Sequence, residues 1–337
     1  MRPLVYQRIG RPVALMQLEE IRTLVKDDLK SVDQTIVDRL SSDVVLVNQV
    51  SQYIIGGGGK RLRPLSVVLA ARACGYAGLQ HTSAAAIIEF IHTSTLLHDD
   101  VVDGSNKRRG RDTANHVFGN QASVLVGDYL YSRSFQMMVE LRDMRIQEVM
   151  ADATNTIAEG EVLQLMNAHD PDTTEQRYFE VIYRKTAKLF EAGAQIAAIV
   201  AKAPERVEQA MIAYGRHLGT AFQLVDDALD YMASPEALGK NLGDDLAEGK
   251  PTLPVIYALA HSPAEESAVL RAAIENGALD ELPRITKLIG SSGGLEYTAR
   301  MAQQEKDRAV AALAGVPHSP YRDALASLAE FAVARTY

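Results

Sequence analysis

Apolar residues recur every three or four positions along almost the whole chain. Runs such as LEEIRTLVKDDLKSVDQTIVDRL and SAAAIIEFIHTSTLLHDDVVD have the period of amphipathic or buried helices. The two-residue alternation of a half-buried strand is hard to find. Breakers punctuate the pattern at helix-length intervals. Gly56–Gly59 predicts the end of one helix, and Pro64 suits the first turn of the next. Thr173 and Gln176 form a candidate capping box ahead of YFEVIYRKTAKLFEAGAQIAAIVA. Gly239–Pro251 reads as a polar loop, and the SSGG run at 291–294 separates the C-terminal helices. No low-complexity linker divides the chain. The expectation is one all-α domain over residues 16–337, preceded by a disordered extension at residues 1–15.

Composition narrows the function classes. The 337 residues are 47% hydrophobic, enough for a sizeable core, and carry a formal net charge of −8. That balance argues against a nucleic-acid partner, which requires a basic face. Cys74 is the single cysteine, so an internal disulfide and a cysteine-rich zinc site are excluded. No stretch reaches the roughly 18 apolar residues of a membrane span. A cytoplasmic protein with at most peripheral membrane contact is expected. The first fifteen residues, with three arginines and no acid, lack the long apolar core of a secretory signal.

Two acidic clusters stand out because they interrupt strongly apolar helices. In LLHDDVVDGSNKRRG, Asp99 and Asp103 lie four residues apart and share a helix face, whereas Asp100 points about 100° away. FQLVDDALDY repeats the arrangement with Asp226, Asp227 and Asp230. Like charges at this spacing destabilise a helix, and burying unpaired carboxylates costs more. A bound cation resolves both penalties. Oxygen-only ligands favour Mg²⁺, which keeps open positions for substrate phosphates. A solvated acidic face explains one such cluster well and two poorly. Glu89 and His92 match one Glu-x-x-His element of a di-iron bundle, but the second element is missing.

Basic residues accompany the acids. Gly56–Gly59 runs into Lys60-Arg61-Leu62-Arg63-Pro64, joining flexible backbone to three cations. Glycine amides can approach an anion closely, Arg63 can fork onto a phosphate, and Lys60 supplies a point charge. The spacing is not that of a P-loop. Lys107, Arg108 and Arg109 follow the first acidic cluster; Lys185, Thr186 and Lys188 sit in a helical run; Lys240 and Lys250 bracket GKNLGDDLAEGKPTLP. Each group alone is most often a solvated face. Together with the acids they point to metal–diphosphate binding.

The combination GGGGKRLRP, LLHDDVVDGSNKRRG, YRKTAKL, FQLVDDALDY and GKNLGDDLAEGKPTLP, in this order, resembles the trans-isoprenyl diphosphate synthases, in particular the long-chain bacterial branch that makes quinone side chains. The resemblance runs from about Met16 to the C-terminus. It implies a helical bundle of the isoprenoid-synthase type around a deep cavity, usually as a homodimer. It also implies sequential 1′-4 condensation of isopentenyl diphosphate onto an allylic diphosphate such as farnesyl diphosphate. Carried over by motif, Asp99, Asp103 and Asp226 would hold Mg²⁺, and Asp100, Asp227, Asp230 and Lys185 would complete the catalytic set. Lys60, Arg63, His92 and Arg109 would bind isopentenyl diphosphate. Arg108, Lys185, Thr186, Gln223, Lys240 and Lys250 would bind the allylic diphosphate. Class I terpene cyclases share the first cluster but usually lack the second Asp-rich motif and KRLRP. Non-catalytic synthase subunits typically lose one cluster, and this chain keeps both.

Product length should be set along the helix leading to Asp99. Ser94 and Thr95, just before the aspartates, are small where short-chain members of the family usually place an aromatic floor. A long, octaprenyl-like product is therefore expected, with geranylgeranyl or nonaprenyl products as alternatives. Met138, with Met150, is the candidate for a lower floor.

Overall fold

A computed structural model describes residues 15–108, 110–232, 243–277 and 279–334. Seventeen α-helices are described there. The first five are α1 (Leu18–Leu24), α2 (Lys26–Leu40), α3 (Val45–Ile55), α4 (Leu62–Ala73) and α5 (Gln80–Val102). A two-residue hairpin, β1 (Lys107–Arg108) with β2 (Arg111–Asp112), follows. Then come α6 (Ala114–Phe118), α7 (Asn120–Glu140), α8 (Met144–Asn167), α9 (Glu175–Ile182), α10 (Lys188–Val200) and α11 (Glu205–Met232). The C-terminal part holds α12 (Asp244–Ala247), α13 (Leu253–His261), α14 (Ala264–Asn276), α15 (Leu282–Ser292), α16 (Gly294–Ala312) and α17 (Pro320–Ala334).

Burial follows the hydrophobic pattern. Helices apolar on all sides belong in the interior. Accordingly α4 and α10 are buried along nearly their whole length, and α10 packs against α4, α5, α8 and α11. The largest cluster includes Leu65, Ile88, Phe90, Met138, Met150, Phe190 and Tyr214. A smaller one, with Tyr231, Val255, Leu270 and Ile285, lies beneath α12–α15. Charged helices such as α2 and α16 form the outside, each burying one stripe. No helix among the described residues is long and apolar enough to cross a membrane.

Most breakers act where the sequence places them. Gly56 caps α3, Pro64 sits in the first turn of α4, and Gly293, in a left-handed conformation, caps α15. Two local expectations fail. The cap of α9 is Thr174, whose side chain accepts from the Arg177 N–H, while Thr173 is buried. The long helix expected after it is interrupted by a π turn at Tyr183–Ala187. Such single π turns tend to occur at functional positions, and this one carries Lys185 and Thr186. It packs tightly on α8: a Cβ on Gly160 would stand 2.7 Å from Arg184 Cβ. Side chains flanking Gly160 therefore reach the Lys185 side directly.

Candidate active site

The C-terminal ends of α5 and α11 bring the two aspartate clusters to opposite walls of one cleft of about 370 Å³. Asp99, Asp103, Asp226 and Asp227 all line it, together with Arg63, His92, Arg108, Lys185, Thr186, Gln223 and Lys250. Arg109 and Lys240 lie outside the described residues.

The first cluster presents two carboxylates and hides one. Asp99 and Asp103 face the cleft, and each meets a lysine: Lys185 Nζ is 3.3 Å from Asp99 and Lys250 Nζ is 3.1 Å from Asp103. Asp100 is fully buried and turned away. Two guanidinium nitrogens of Arg108 reach its Oδ1, at 2.8 and 2.7 Å. Burial pushes the Asp100 carboxyl up, and Arg108 opposes that shift. Its backbone oxygen accepts from the Asn115 side chain, which also bonds the Ser105 oxygen. Asp100 thus orients Arg108 rather than facing the cleft.

The second cluster inverts this arrangement. Asp226 is the open member, Asp227 touches the cleft wall but is nearly buried, and Asp230 is fully buried. Tyr178 donates to Asp227 at 2.5 Å and Gln223 Nε2 donates at 2.7 Å. Gln223 Oε1 in turn accepts from the Thr186 hydroxyl at 2.9 Å. Burial pushes the Asp227 carboxyl up to about 8, with the charge of Asp245 adding to the shift and the two donors opposing it. Asp230 accepts the Asp245 backbone N–H at 3.2 Å, which ties α11 to α12.

The structure also brings in groups that sequence reading missed. Glu161 and Gln164 of α8 accept from Lys185 Nζ at 2.6 and 2.8 Å. Burial lifts the Glu161 carboxyl to about 7, against the pull of Lys185. Burial disfavours the Lys185 charge, but Asp99 and Glu161 outweigh it, so its pKa rises. Glu248 pairs with Lys250. Glu161 and Gln164 were legible as polar residues three apart in the run EVLQLM just after Gly160. Tyr178 carried no such signal.

On the basic side, Arg63 Nη1 lies 3.2 Å from His92 Nε2, and its guanidinium stacks 4.7 Å above the Phe190 ring. The Lys60 ammonium stands over Phe331, at 5.4 Å, and is not on the cleft wall.

Beneath the cleft, a largely apolar groove of about 720 Å³ runs between α5, α7 and α8. Ser94 and Thr95 line it, as the small residues before Asp99 predict. Met138 and Met150 are buried in the core but are not on its wall. The two spaces join: Asp99, Asp103, Glu161 and Lys250 line both.

The carboxylate set suits a hard cation. Among the described residues no three acidic or histidine side chains gather into a closed cage. Mg²⁺ does not need one, since it is commonly held by one or two carboxylates with water and phosphate completing the shell.

Residues 44–289 match the polyprenyl synthetase family. The octaprenyl diphosphate synthase of Escherichia coli K12 is 54% identical over 321 residues, 95% of this chain and 99% of that protein. An all-trans-nonaprenyl-diphosphate synthase of Rhodobacter capsulatus is 45% identical over 318 residues, 94% of this chain and 98% of that one. Among solved structures, a polyprenyl synthase of Caulobacter crescentus complexed with calcium and isoprenyl diphosphate superposes with a TM-score of 0.92 at 44% identity, covering 96% of this chain and 99% of that one. An Asp-rich, lysine-lined cleft joined to an apolar groove, and relatives matched over nearly their full length, lead to one conclusion: the chain belongs to the polyprenyl synthetase family and is a prenyltransferase that builds long all-trans polyprenyl diphosphates.

Proposed function

We propose that the chain is a Mg²⁺-dependent homodimer that condenses isopentenyl diphosphate onto farnesyl diphosphate or a similar allylic starter and releases an octaprenyl-length product. The observation that carries this reading is the junction of the two spaces. A diphosphate held among Asp99, Asp103 and Asp226 has the apolar groove directly beneath it for its prenyl tail.

In this reading Asp99, Asp103 and Asp226 would hold Mg²⁺, and the ion would supply the positive charge that makes a diphosphate a competent leaving group. Lys185, Lys250, Thr186 and Gln223 bind the remaining allylic oxygens, and Arg108, held by Asp100, reaches the same diphosphate. The C1–O bond breaks and its electron pair leaves with the diphosphate. Arg63 and His92 hold isopentenyl diphosphate so that its C4 lies beside the allylic C1. The double bond attacks, a C–C bond forms, and the C2 proton passes to the released diphosphate, leaving a new trans double bond. No protein nucleophile takes part; positioning and fixed charge supply the rate.

The outward face of α7 exposes Val124, Leu125, Phe135 and Val139. A stripe of this kind suits burial against a second copy, and light scattering on the purified chain should return twice the monomer mass. The function is tested by incubating the chain with labelled isopentenyl diphosphate, farnesyl diphosphate and Mg²⁺, then sizing the dephosphorylated products. A dominant C40 product is expected. A product formed without isopentenyl incorporation would overturn the reading.

A further inference from the structure

The two lysines that meet the first aspartate cluster are both reached from α8. Glu161 and Gln164 hold Lys185 directly. The connection that follows α8 reaches the turn that carries Lys250. That turn is the C-terminal end of α12. Gly249 is left-handed there, with φ 65°. Its N–H donates to the Leu246 oxygen at 3.0 Å, and the Lys250 N–H donates to the Asp245 oxygen at 2.7 Å. This pair of bonds is a Schellman motif, whose left-handed residue sets the direction of the residue after it. Lys250 leaves the turn toward Asp103 of α5, 3.1 Å away.

His169 grips this turn. Its backbone N–H donates to the Gly249 oxygen at 2.8 Å, and its ring fills the space of a Gly249 Cβ, which would stand 2.2 Å from Nδ1. Nδ1 lies 3.1 Å from the Ile274 oxygen of α14; a carbonyl only accepts, so Nδ1 carries the proton. His169 is itself left-handed, with φ 61°. A non-glycine residue keeps that conformation where its surroundings impose it, and such residues cluster at functional sites. Arg177 imposes it here by donating to Asn167 at 2.6 Å and to Asp170 at 3.2 Å, on either side of His169. From the other direction a Cβ on Gly277, at the end of α14, would stand 2.5 Å from the Ala247 oxygen. The turn behind Lys250 is thus wedged between His169 and the end of α14.

We infer that His169 is the positioning residue for Lys250: it fixes the Gly249 turn so that the ammonium meets the allylic diphosphate beside Asp103. Helix α8 then sets both cleft lysines, Lys185 through Glu161 and Gln164, and Lys250 through the residue just past its end. The inference rests on the proposed binding of the allylic diphosphate by Lys250.

Steady-state kinetics of the purified chain with Mg²⁺, farnesyl diphosphate and isopentenyl diphosphate test it. His169→Ala removes the bond to Ile274 and disfavours the left-handed backbone. Its KM for farnesyl diphosphate should rise about tenfold, with kcat and the KM for isopentenyl diphosphate within about twofold of wild type, because the loss falls on the binding of one substrate. His169→Asn should recover most of the affinity, since asparagine accepts the left-handed conformation and its amide can donate to the Ile274 oxygen. Should His169→Ala fail to fold, His169→Gly keeps the backbone conformation and lacks the ring, and a smaller rise in the same KM is expected. Because His169 acts through Lys250, His169→Ala should add nothing in a Lys250→Ala background, where a merely structural histidine would add its full effect. An unchanged KM for farnesyl diphosphate in both His169→Ala and His169→Gly, equal rises in both KM values, or full additivity with Lys250→Ala would overturn the inference and leave the proposed function intact. A Lys250→Ala protein with the wild-type KM for farnesyl diphosphate would overturn it together with the reading on which it rests.

Discussion

The two aspartate clusters look alike as sequence and differ as structure. The first turns two carboxylates to the cleft and buries one. The second turns one out and buries two. The buried members serve different ends: Asp100 aims an arginine, whereas Asp227 and Asp230 hold Gln223, Tyr178 and the start of α12. The three exposed carboxylates are the ones that the family resemblance would give to the metal. Repetition of a motif thus divides into three carboxylates that open toward the cleft and three that hold neighbouring groups behind it.

The largest effects should fall on the exposed set. Asp103→Asn removes a charge from the cleft and leaves Lys250 with Glu248 alone. Its kcat should drop about 100- to 1000-fold, the scale for losing one preorganised electrostatic contact in a reacting site, with little change in Tm. Asp226→Asn should behave the same way. A loss of less than tenfold in both would show that the exposed set does not hold the metal.

The buried set should respond differently. In Asp227→Asn, the new amide nitrogen faces either Tyr178 or Gln223, both donors. If Gln223 turns over to accept, its amide nitrogen faces the Thr186 hydroxyl, which must then turn from donor to acceptor. The expected result is a KM for the allylic diphosphate raised about tenfold, near the net worth of one hydrogen bond, with a smaller fall in kcat than in Asp103→Asn. Arg108→Lys should follow, because a lysine cannot span from Asp100 to the cleft as a planar fork does. A several-fold rise in the same KM is expected, and Asp100→Asn should mimic it.

Much of this was legible in the chain. The helical period identified the fold class, and i, i+4 spacing separated Asp99 and Asp103 from Asp100. What spacing could not reveal is which face of α11 meets the cleft. Tyr178 matters only because its hydroxyl reaches Asp227 of α11, 49 residues away, a long-range contact with no local signature. The π turn adds a residue without any glycine or proline to announce it. Whether Met138 reaches the groove could not be read from helix position alone: it is buried in the core and is not on the groove wall.

The smallest expected effect separates the clusters by proton linkage. Glu161 and Asp227 have folded-state pKa values of about 7 and about 8, raised chiefly by burial. A raised carboxyl binds its proton more tightly in the native state than in the unfolded chain. The stability it contributes is fully present below the unfolded pKa of about 4 and is lost as pH rises through the folded value. Metal-free protein should therefore lose Tm between about pH 5 and pH 8, where ordinary carboxylates stay ionised in both states. The slope approaches about 1.4 kcal/mol per pH unit for each group, or a few degrees for a chain of this size. Asp227→Asn and Glu161→Gln should each flatten the curve, and Asp103→Asn should not. Mg²⁺ with a diphosphate should flatten it as well, since a cation beside Asp226 favours the ionised form of Asp227. Thermal melts across this pH range, with and without the metal and inorganic diphosphate, measure all of these. Equal slopes in the wild type and in Asp227→Asn would mean that Asp227 is ionised in the free protein, and the contrast between an open and a proton-holding cluster would fall.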